Sequence, residues 1–327
     1  MTLVLTRSDI QALLDIDACI DAVRDGFLAQ ASGHALPSGV VGTHVDTGGF
    51  HVKTSGLTSG RGYFAAKVNA NFPGNRSRHG LPTIQGVIAL FDASNGTLLA
   101  VMDSSEITTL RTAAATAVAA GHLARGDSST VTVVGCGVQG RSQLLALSRV
   151  RSITRAKAYD IDERASREFA ETMSRVIGCK VEAVEDYRAA ARESDVIVTC
   201  TSARAPLLGR SDIRSGAFVA AVGADSEHKQ ELDPSLLASS KLIVDVLEQC
   251  ATIGELHHAL DAGLMRREDV HAELSDVVSG RMPGRESEAE VIVFDSTGTA
   301  LEDVAAASLV YERALEAGMG TEVSLTG

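Results

Sequence analysis

The sequence predicts an α/β protein of two domains. One is a doubly wound parallel sheet in the middle of the chain. The other is an α+β domain assembled discontinuously from both chain ends. Three observations predict this. Between residues 131 and 246, short β-branched runs alternate with helical segments, the pattern of a parallel sheet with right-handed crossovers. The first ~100 residues instead place helices first and glycine-punctuated strands after them. The last helical run, 301–317, is apolar on one face and is expected to return to the first domain. The expected boundaries are 1–124 with 299–327 for the α+β domain, and 125–298 for the parallel-sheet domain. The polar linker Arg125-Gly126-Asp127-Ser128-Ser129 marks the first junction.

In chain order, residues 8–32 read as helices. Ser8-Asp9 can cap one start, and Ile16, Cys19, Ile20, Val23 and Phe27 recur at helical spacing. From 40 to 68 the pattern turns to short strands, with 50–53 and 63–68 the clearest, and 69–81 reads as a polar loop. Residues 83–91 and 97–102 suit a hairpin turning at 92–96. Ser104-Ser105 then caps a long alanine-rich helix, 106–124. Strand candidates follow at 131–134, 156–160, 181–184, 196–201, 217–222 and 242–246, with helices at 139–149, 163–176 and 186–193 between the first four. Residues 251–263 and 268–279 read as helix, and 291–294 as one more buried strand.

The stretch that organises the chain runs Val131-Thr132-Val133-Val134-Gly135-Cys136-Gly137-Val138-Gln139-Gly140. It is a strand, a Gly-x-Gly-x-x-Gly turn and a helix start, and an acid, Asp160, ends the next strand. That is the dinucleotide fingerprint in its proper context, and it makes the second domain a Rossmann domain. Gly135 permits the tight turn, Gly137 lets backbone approach a pyrophosphate, and Gly140 lets helix pack on strand. The helix start offers N–H groups and a positive dipole end to phosphates. A carboxylate at Asp160 can accept both ribose hydroxyls and would repel a 2′-phosphate, so the expected cofactor is NAD rather than NADP.

Composition narrows the function. A net charge of −12 argues against a nucleic-acid surface, although a local pocket can still oppose the global sign. No apolar run is long enough to span a membrane and no secretory signal is read. The five cysteines are scattered, with no Cys-x-x-Cys, which fits a reducing cytoplasm. No His-x-x-x-His appears, and no metal is expected. Without a Gly-x-Ser-x-Gly elbow or a phosphate-binding lysine loop, hydrolase and kinase readings have no support.

Two cations stand in unusual company. Lys67 lies in a strand of apolar and small residues, and Arg111 lies in the alanine-rich helix beside Thr112. Each is costly to bury without an anionic partner, and the alternative is an exposed or snorkelling cation. A guanidinium can grip a carboxylate bidentately. Asp225 follows a strand ending in Val222-Gly223-Ala224, at the carboxyl edge where open α/β sheets bind ligands; the alternative is a solvated loop acid. Asp295-Ser296-Thr297-Gly298 is placed the same way after its own strand.

Several longer stretches run in one order along nearly the whole chain: Lys67-Val68-Asn69 with Phe72-Pro73-Gly74-Asn75, Gly80-Leu81-Pro82-Thr83, Leu110-Arg111-Thr112-Ala113-Ala114, Gly135-Cys136-Gly137-Val138-Gln139, Val222-Gly223-Ala224-Asp225 with Lys229-Gln230-Glu231-Leu232-Asp233, and Phe294-Asp295-Ser296-Thr297-Gly298 with Glu302-Asp303. In these the chain resembles the ornithine cyclodeaminase/μ-crystallin family. Around Gly254-Glu255-Leu256 and Glu268 to Leu274 it looks more like the alanine dehydrogenase and imine reductase branch than the true cyclodeaminases. The resemblance implies a homodimer whose discontinuous domain binds substrate and builds the dimer. It implies that Lys67 and Arg111 hold a substrate carboxylate and that Asp225 handles protons at the reacting nitrogen. Thr83, Thr112, Val138, Gln139, Asp160, Thr201 and Ser296 match positions around the cofactor, with Gly135, Gly137, Gly140, Val222 and Gly223 in the turns beside them. Where many members have Met-Pro, this chain has His51-Val52-Lys53. Lys53 meets either a second anionic or polar group of the substrate, or solvent as a strand-edge lysine. The expected activity is NAD(H)-dependent oxidation or reduction at the Cα–N bond of an L-amino acid or its imine, with an amino acid, 2-oxo acid or imine as the small-molecule partner. The alternatives are a cyclodeaminase that uses NAD catalytically and releases ammonia, and a non-enzymatic binding protein.

Overall fold

The computed structural model describes residues 1–325; residues 326 and 327, with which the expected first domain ends, lie outside the described residues. The chain divides into two compact units, Met1–Arg111 with Thr299–Gly327, and Thr112–Gly298. The first division falls inside a helix, ahead of the polar linker.

The first unit opens with β1 (Thr2–Leu5), α1 (Arg7–Leu13), α2 (Ile16–Ala31), β2 (Ala35–Val45), β3 (Gly48–Leu57), β4 (Tyr63–Asn71), α3 (Asn75–His79), β5 (Ile84–Asp92), β6 (Leu98–Asp103) and α4 (Ser104–Leu123). The expected Ser8-Asp9 cap is corrected by two residues: Thr6 caps α1, reciprocally with Asp9. Likewise Asp103, not Ser104-Ser105, accepts the Ser105 N–H at the start of α4. The polar stretch 69–81 is not all loop, because β4 runs to Asn71 and α3 fits a turn that Gly80 closes with a positive φ of 67°. In α2 the predicted stripe Ile16, Cys19, Ile20, Val23 and Phe27 is buried, and Asp15 caps the helix by accepting the Ala18 N–H at 2.8 Å.

In the second unit come β7 (Thr130–Val134), α5 (Val138–Val150), β8 (Arg155–Tyr159), α6 (Glu163–Ile177), β9 (Lys180–Ala183), α7 (Tyr187–Arg192), β10 (Val196–Thr199), β11 (Arg204–Leu208), β12 (Phe218–Ala221), β13 (Gln230–Leu232), α8 (Pro234–Ala238), β14 (Lys241–Val244), α9 (Leu247–Ile253), α10 (Glu255–Asp261), β15 (Ala272–Glu273), α11 (Leu274–Val278) and β16 (Ile292–Asp295). The chain then returns to the first unit with α12 (Ala300–Ala317) and β17 (Thr321–Val323). The expected helix 251–263 is broken at Gly254, where a Cβ would lie 2.6 Å from the Asp295 carboxylate. Only Leu274–Val278 of the expected helix 268–279 is α-helical, because Ala272–Glu273 adds a parallel edge to β14.

The first sheet has seven strands in the order β17-β1-β6-β5-β4-β3-β2. Register aligns Lys53, Lys67, Ile88 and Met102 across β3 to β6, and α12 packs on β3 and β4. The next row, Val41, Val52, Val68 and Val87, points the other way, since side chains alternate along a strand. Val41, Val68 and Val87 are 64%, 39% and 45% exposed, an apolar sheet face. The second sheet has eight strands in the order β15-β14-β16-β12-β10-β7-β8-β9, and its strand pairs are parallel. Strand order reverses between β7 and β10, a topological switch point of the kind that binds ligands at carboxyl ends. β1 and the edge strand β17 escaped the sequence reading because each is very short and carries no clear alternation.

The Asp15 cap gives a test of the first unit. Asp15→Ala should cost about 1 kcal/mol in a urea titration, and Asp15→Asn, which still accepts from Ala18, should restore most of it. The backbone bond from Ala18 holds the Asp15 carboxyl below its ordinary pKa. Its contribution is therefore present above the ordinary carboxylate range and is lost as pH falls through the lowered value.

Candidate active site

In the first unit two cations are buried against one helix start. Lys67, on β4, and Arg111, on α4, are 3% and 4% exposed. The Lys67 Nζ lies 2.6 Å from Asp303 Oδ2. Arg111 donates from Nε to Asp303 Oδ1 at 2.9 Å and from Nη1 to Glu302 Oε2 at 2.8 Å. Both acids occupy the first turn of α12, where a helix dipole favours negative charge. Glu302 serves twice. Its Oε1 accepts the Thr299 N–H at 3.0 Å, and Thr299 accepts the Glu302 N–H in return, a capping box that orients the acid toward Arg111. The anionic partners that the buried cations required are thus supplied by the chain itself. The sequence reading quoted Glu302-Asp303 but gave them no role. The usable signal was a Thr-x-x-Glu helix start in a chain with two cations needing acids.

Burial pushes the Lys67 ammonium down to about 7; Arg111 and Lys53 add to that, and Asp303 opposes it. Burial raises the Asp303 carboxyl, but Lys67 and Arg111 outweigh it and leave it below its ordinary value. Lys53 stands directly across from Lys67 in the β3–β4 register, on the same face and half-buried. The strand-edge reading of Lys53 is corrected, because β3 is paired on both sides. Three cations therefore meet two carboxylates in this neighbourhood. Thr83, just before β5, is half-buried, and its carbonyl accepts the Phe72 N–H at 2.8 Å.

In the second unit the glycine turn closes as its pattern requires. Gly135 has a φ of +107°, and its N–H donates to the Tyr159 carbonyl at 2.8 Å. A Cβ on Gly140 would stand 2.1 Å from the Gly135 carbonyl oxygen, so α5 could not pack there with any side chain. Gly137 caps α5 without a side-chain bond, Val138 is exposed and Gln139 is half-buried. Asp160 accepts the Cys136 N–H at 2.8 Å and the Asp162 N–H at 3.0 Å, so the acid after β8 is braced to the turn after β7. A tight glycine turn, a helix start with no acid in its first turn and a braced carboxylate fit a dinucleotide.

Beyond the neighbouring strands, Thr201 donates its N–H and hydroxyl to the buried Glu231, and Gly223 donates its N–H to the same carboxylate. Val222 is buried and donates to the Thr199 carbonyl. Asp225 is 49% exposed at its side chain and lies 2.5 Å from Lys229 Nζ. Ser296 is buried just past β16, and its hydroxyl has no hydrogen-bond partner among the described residues. Thr112 is buried on α4. Sequence reasoning gave no role to the buried acids Glu231, Asp245 and Glu255, whereas Asp295, which it placed at a strand's carboxyl edge, is buried there. Asp245 accepts the Thr297 and Gly298 N–H groups at 2.7 Å each, fixing the turn that follows β16. Burial raises the Asp295 carboxyl to about 7, with the nearby Asp245 adding to the shift. Among the described residues no cluster of His, Cys, Asp and Glu is arranged to hold a metal.

Known proteins share this fold. An archaeal alanine dehydrogenase, solved as a dimer with bound NAD, matches at a TM-score of 0.94 and 38% identity, covering 99% of each chain. The Thermococcus litoralis Δ1-pyrroline-2-carboxylate reductase, solved with NADH and L-proline, matches at 0.93 and 36% identity, covering 98% of this chain and 100% of that one. The iminosuccinate reductase of Paracoccus denitrificans, solved with NAD+, matches at 0.91 and 32% identity over 99% of each. The model of the ornithine cyclodeaminase/mu-crystallin family matches residues 1–318, and the chain belongs to that family.

Proposed function

We propose that the chain is an NAD(H)-dependent oxidoreductase acting on the Cα–N bond of an L-amino acid or its imine. The observation that carries this reading is the pair of buried cations, Lys67 and Arg111, on the acid-bearing start of α12, in a chain that also has a closed dinucleotide turn. The family's alanine dehydrogenase and imine reductases act on small molecules of this class. NAD supplies a nicotinamide ring that accepts or returns a hydride. The residues of this chain do the rest. Arg111 and Lys67 hold the substrate carboxylate, the guanidinium through its fork and the ammonium as a point charge, and so fix Cα; such positioning is a large share of catalysis. Asp225 takes a proton from the nitrogen as amine becomes imine and returns one in the reverse direction. Asp160 receives the adenosine ribose hydroxyls. Thr83, Thr112, Val138, Gln139, Thr201, Val222, Gly223 and Ser296 surround the cofactor. The first unit is the substrate-binding and dimerisation domain.

Lys53 narrows the substrate. The third charge on the Lys67 face is positive, which favours a second anionic or polar group and repels a distal ammonium. That weighs against the diamino acids on which a cyclodeaminase acts. The apolar row Val41, Val68 and Val87 supports a homodimer formed through the outer face of the first sheet. All five cysteines are free, which supports the reducing cytoplasm as the working compartment; among the described residues no helix is long and apolar enough to cross a membrane.

The reaction is tested by NADH absorbance, with NAD plus single L-amino acids, and with NADH plus 2-oxo acids and ammonia or cyclic imines. A net absorbance change identifies the substrate. Ammonia released from ornithine or lysine with no net change would replace this reading with a cyclodeaminase. Arg111→Lys keeps the buried charge and loses the fork, so substrate KM should rise about tenfold or more while NADH affinity stays put. An unchanged KM would remove Arg111 from the carboxylate site. Asp160→Ala should weaken NAD binding and relax discrimination against NADP; an unaltered preference, measured by titrating both cofactors, would remove Asp160 from the ribose.

A further inference from the structure

Glu231 has no part in the roles assigned above, yet it is wholly buried and holds two cofactor-side turns. It lies on β13, which pairs with β11 outside the main sheet. Its carboxylate reaches the carboxyl ends of two adjacent main-sheet strands, β10 and β12. Oε1 accepts the Thr201 N–H at 2.6 Å and the Thr201 hydroxyl at 2.7 Å, just past β10. Oε2 accepts the Gly223 N–H at 2.8 Å, just past β12 and two residues before Asp225. The packing leaves no slack. A Cβ on Gly223 would come within 2.5 Å of Glu231 Oε1 and of the Thr201 carbonyl oxygen. The backbone of Glu231 is itself held, because its N–H donates to Glu255 Oε1 at 2.7 Å and the Leu232 N–H to Glu255 Oε2 at 3.1 Å. Glu255 is buried at the first residue of α10. Burial raises the Glu231 pKa, against the bonds from Thr201 and Gly223. A buried carboxyl is retained at such a cost only where its acceptors are used, and here each oxygen serves a different turn.

We infer that Glu231 is a positioning residue of the oxidoreductase: it locks the Thr201 turn and the Gly223–Asp225 turn into one piece, so that the cofactor-facing threonine and the proton-handling acid keep a fixed separation. The inference rests on the roles proposed for Thr201 and Asp225. Its cofactor arm can be read without any substrate. A purely structural role, tying β13 to the sheet, would show in stability alone.

Glu231→Gln separates the two. The side chain keeps its size, but the amide nitrogen donates and cannot accept, so it must face either the Thr201 or the Gly223 N–H. At a temperature where circular dichroism shows the variant folded, the Kd for NADH, read by its fluorescence, should rise about tenfold, the loss of roughly one hydrogen bond to a charged group. The kcat should fall as well. Gly223→Ala should do the same by displacing the carboxylate, and the double variant should be little worse than the worse single, because both break one contact. Asp225→Asn should lower kcat and leave NADH binding unchanged, so failure of the Asp225 role is distinguishable from failure of the clamp. Should Glu231→Gln not fold, Glu231→Asp keeps the carboxylate one methylene short, reaches one turn and not both, and should raise the Kd for NADH likewise. Glu231 variants that melt earlier yet bind NADH and turn over as wild type when folded would overturn the inference. So would additive effects in the double variant.

Discussion

Much of the first unit depends on how two cations are carried inside it. A buried ammonium or guanidinium is tolerable only with acids at contact distance, and removing one partner of such a pair costs ~3–5 kcal/mol. The start of α12 supplies those acids, Glu302 and Asp303, in consecutive positions. Glu302 is oriented by the Thr299 cap, and Asp303 is shared between Lys67 and Arg111. The end of the chain is thereby tied to β4 and α4 by charge as well as by packing. Burial, with Arg111 and Lys53, also pushes the Lys67 ammonium down against the pull of Asp303.

The second unit answers a different constraint, the need to bring backbone close to phosphates without side chains in the way. The parallel order, reversing between β7 and β10, puts the glycine turn and the Thr201 turn at one carboxyl edge. A Cβ on Gly135 would strike the Cys200 carbonyl at 2.7 Å, so these two turns are in close contact. Acids then fasten the turns: the half-buried Asp160 holds the glycine turn, the buried Glu231 the turns after β10 and β12, and the buried Asp245 the turn after β16. Each accepts backbone N–H groups that would otherwise have no partner, which is why carboxylates rather than apolar side chains occupy these places.

What the sequence made legible was local or periodic. The strand–turn–helix around Gly135, the stripe in α2 and the alternation of strands and helices could all be read from spacing. The boundaries failed where tertiary contacts decide. Gly254 breaks a helix because the Asp295 carboxylate occupies the space, and Ala272–Glu273 leaves a helical pattern to pair with β14. The site divided in the same way. Lys67 and Arg111 were conspicuous because charge in apolar company is costly. Asp303 and Glu231 were not, because their partners lie 236 and 30 residues away in sequence and no spacing rule joins them. Lys53 changed meaning once the β3–β4 register placed it across from Lys67.

Lys67 is proposed as a carboxylate anchor whose proton is balanced among Asp303, Arg111 and Lys53. Calorimetric titration of the NAD-saturated protein with a 2-oxo acid, in buffers of different ionisation enthalpy, tests it most directly. An ammonium titrating near pH 7 is mostly neutral at pH 8, and a bound carboxylate raises its pKa. Binding at pH 8 should therefore take up close to one proton, and affinity should weaken by up to about tenfold per pH unit above 7. At pH 6 the uptake should vanish. Binding at pH 8 with no proton uptake, equally tight in Lys67→Met, would contradict the account.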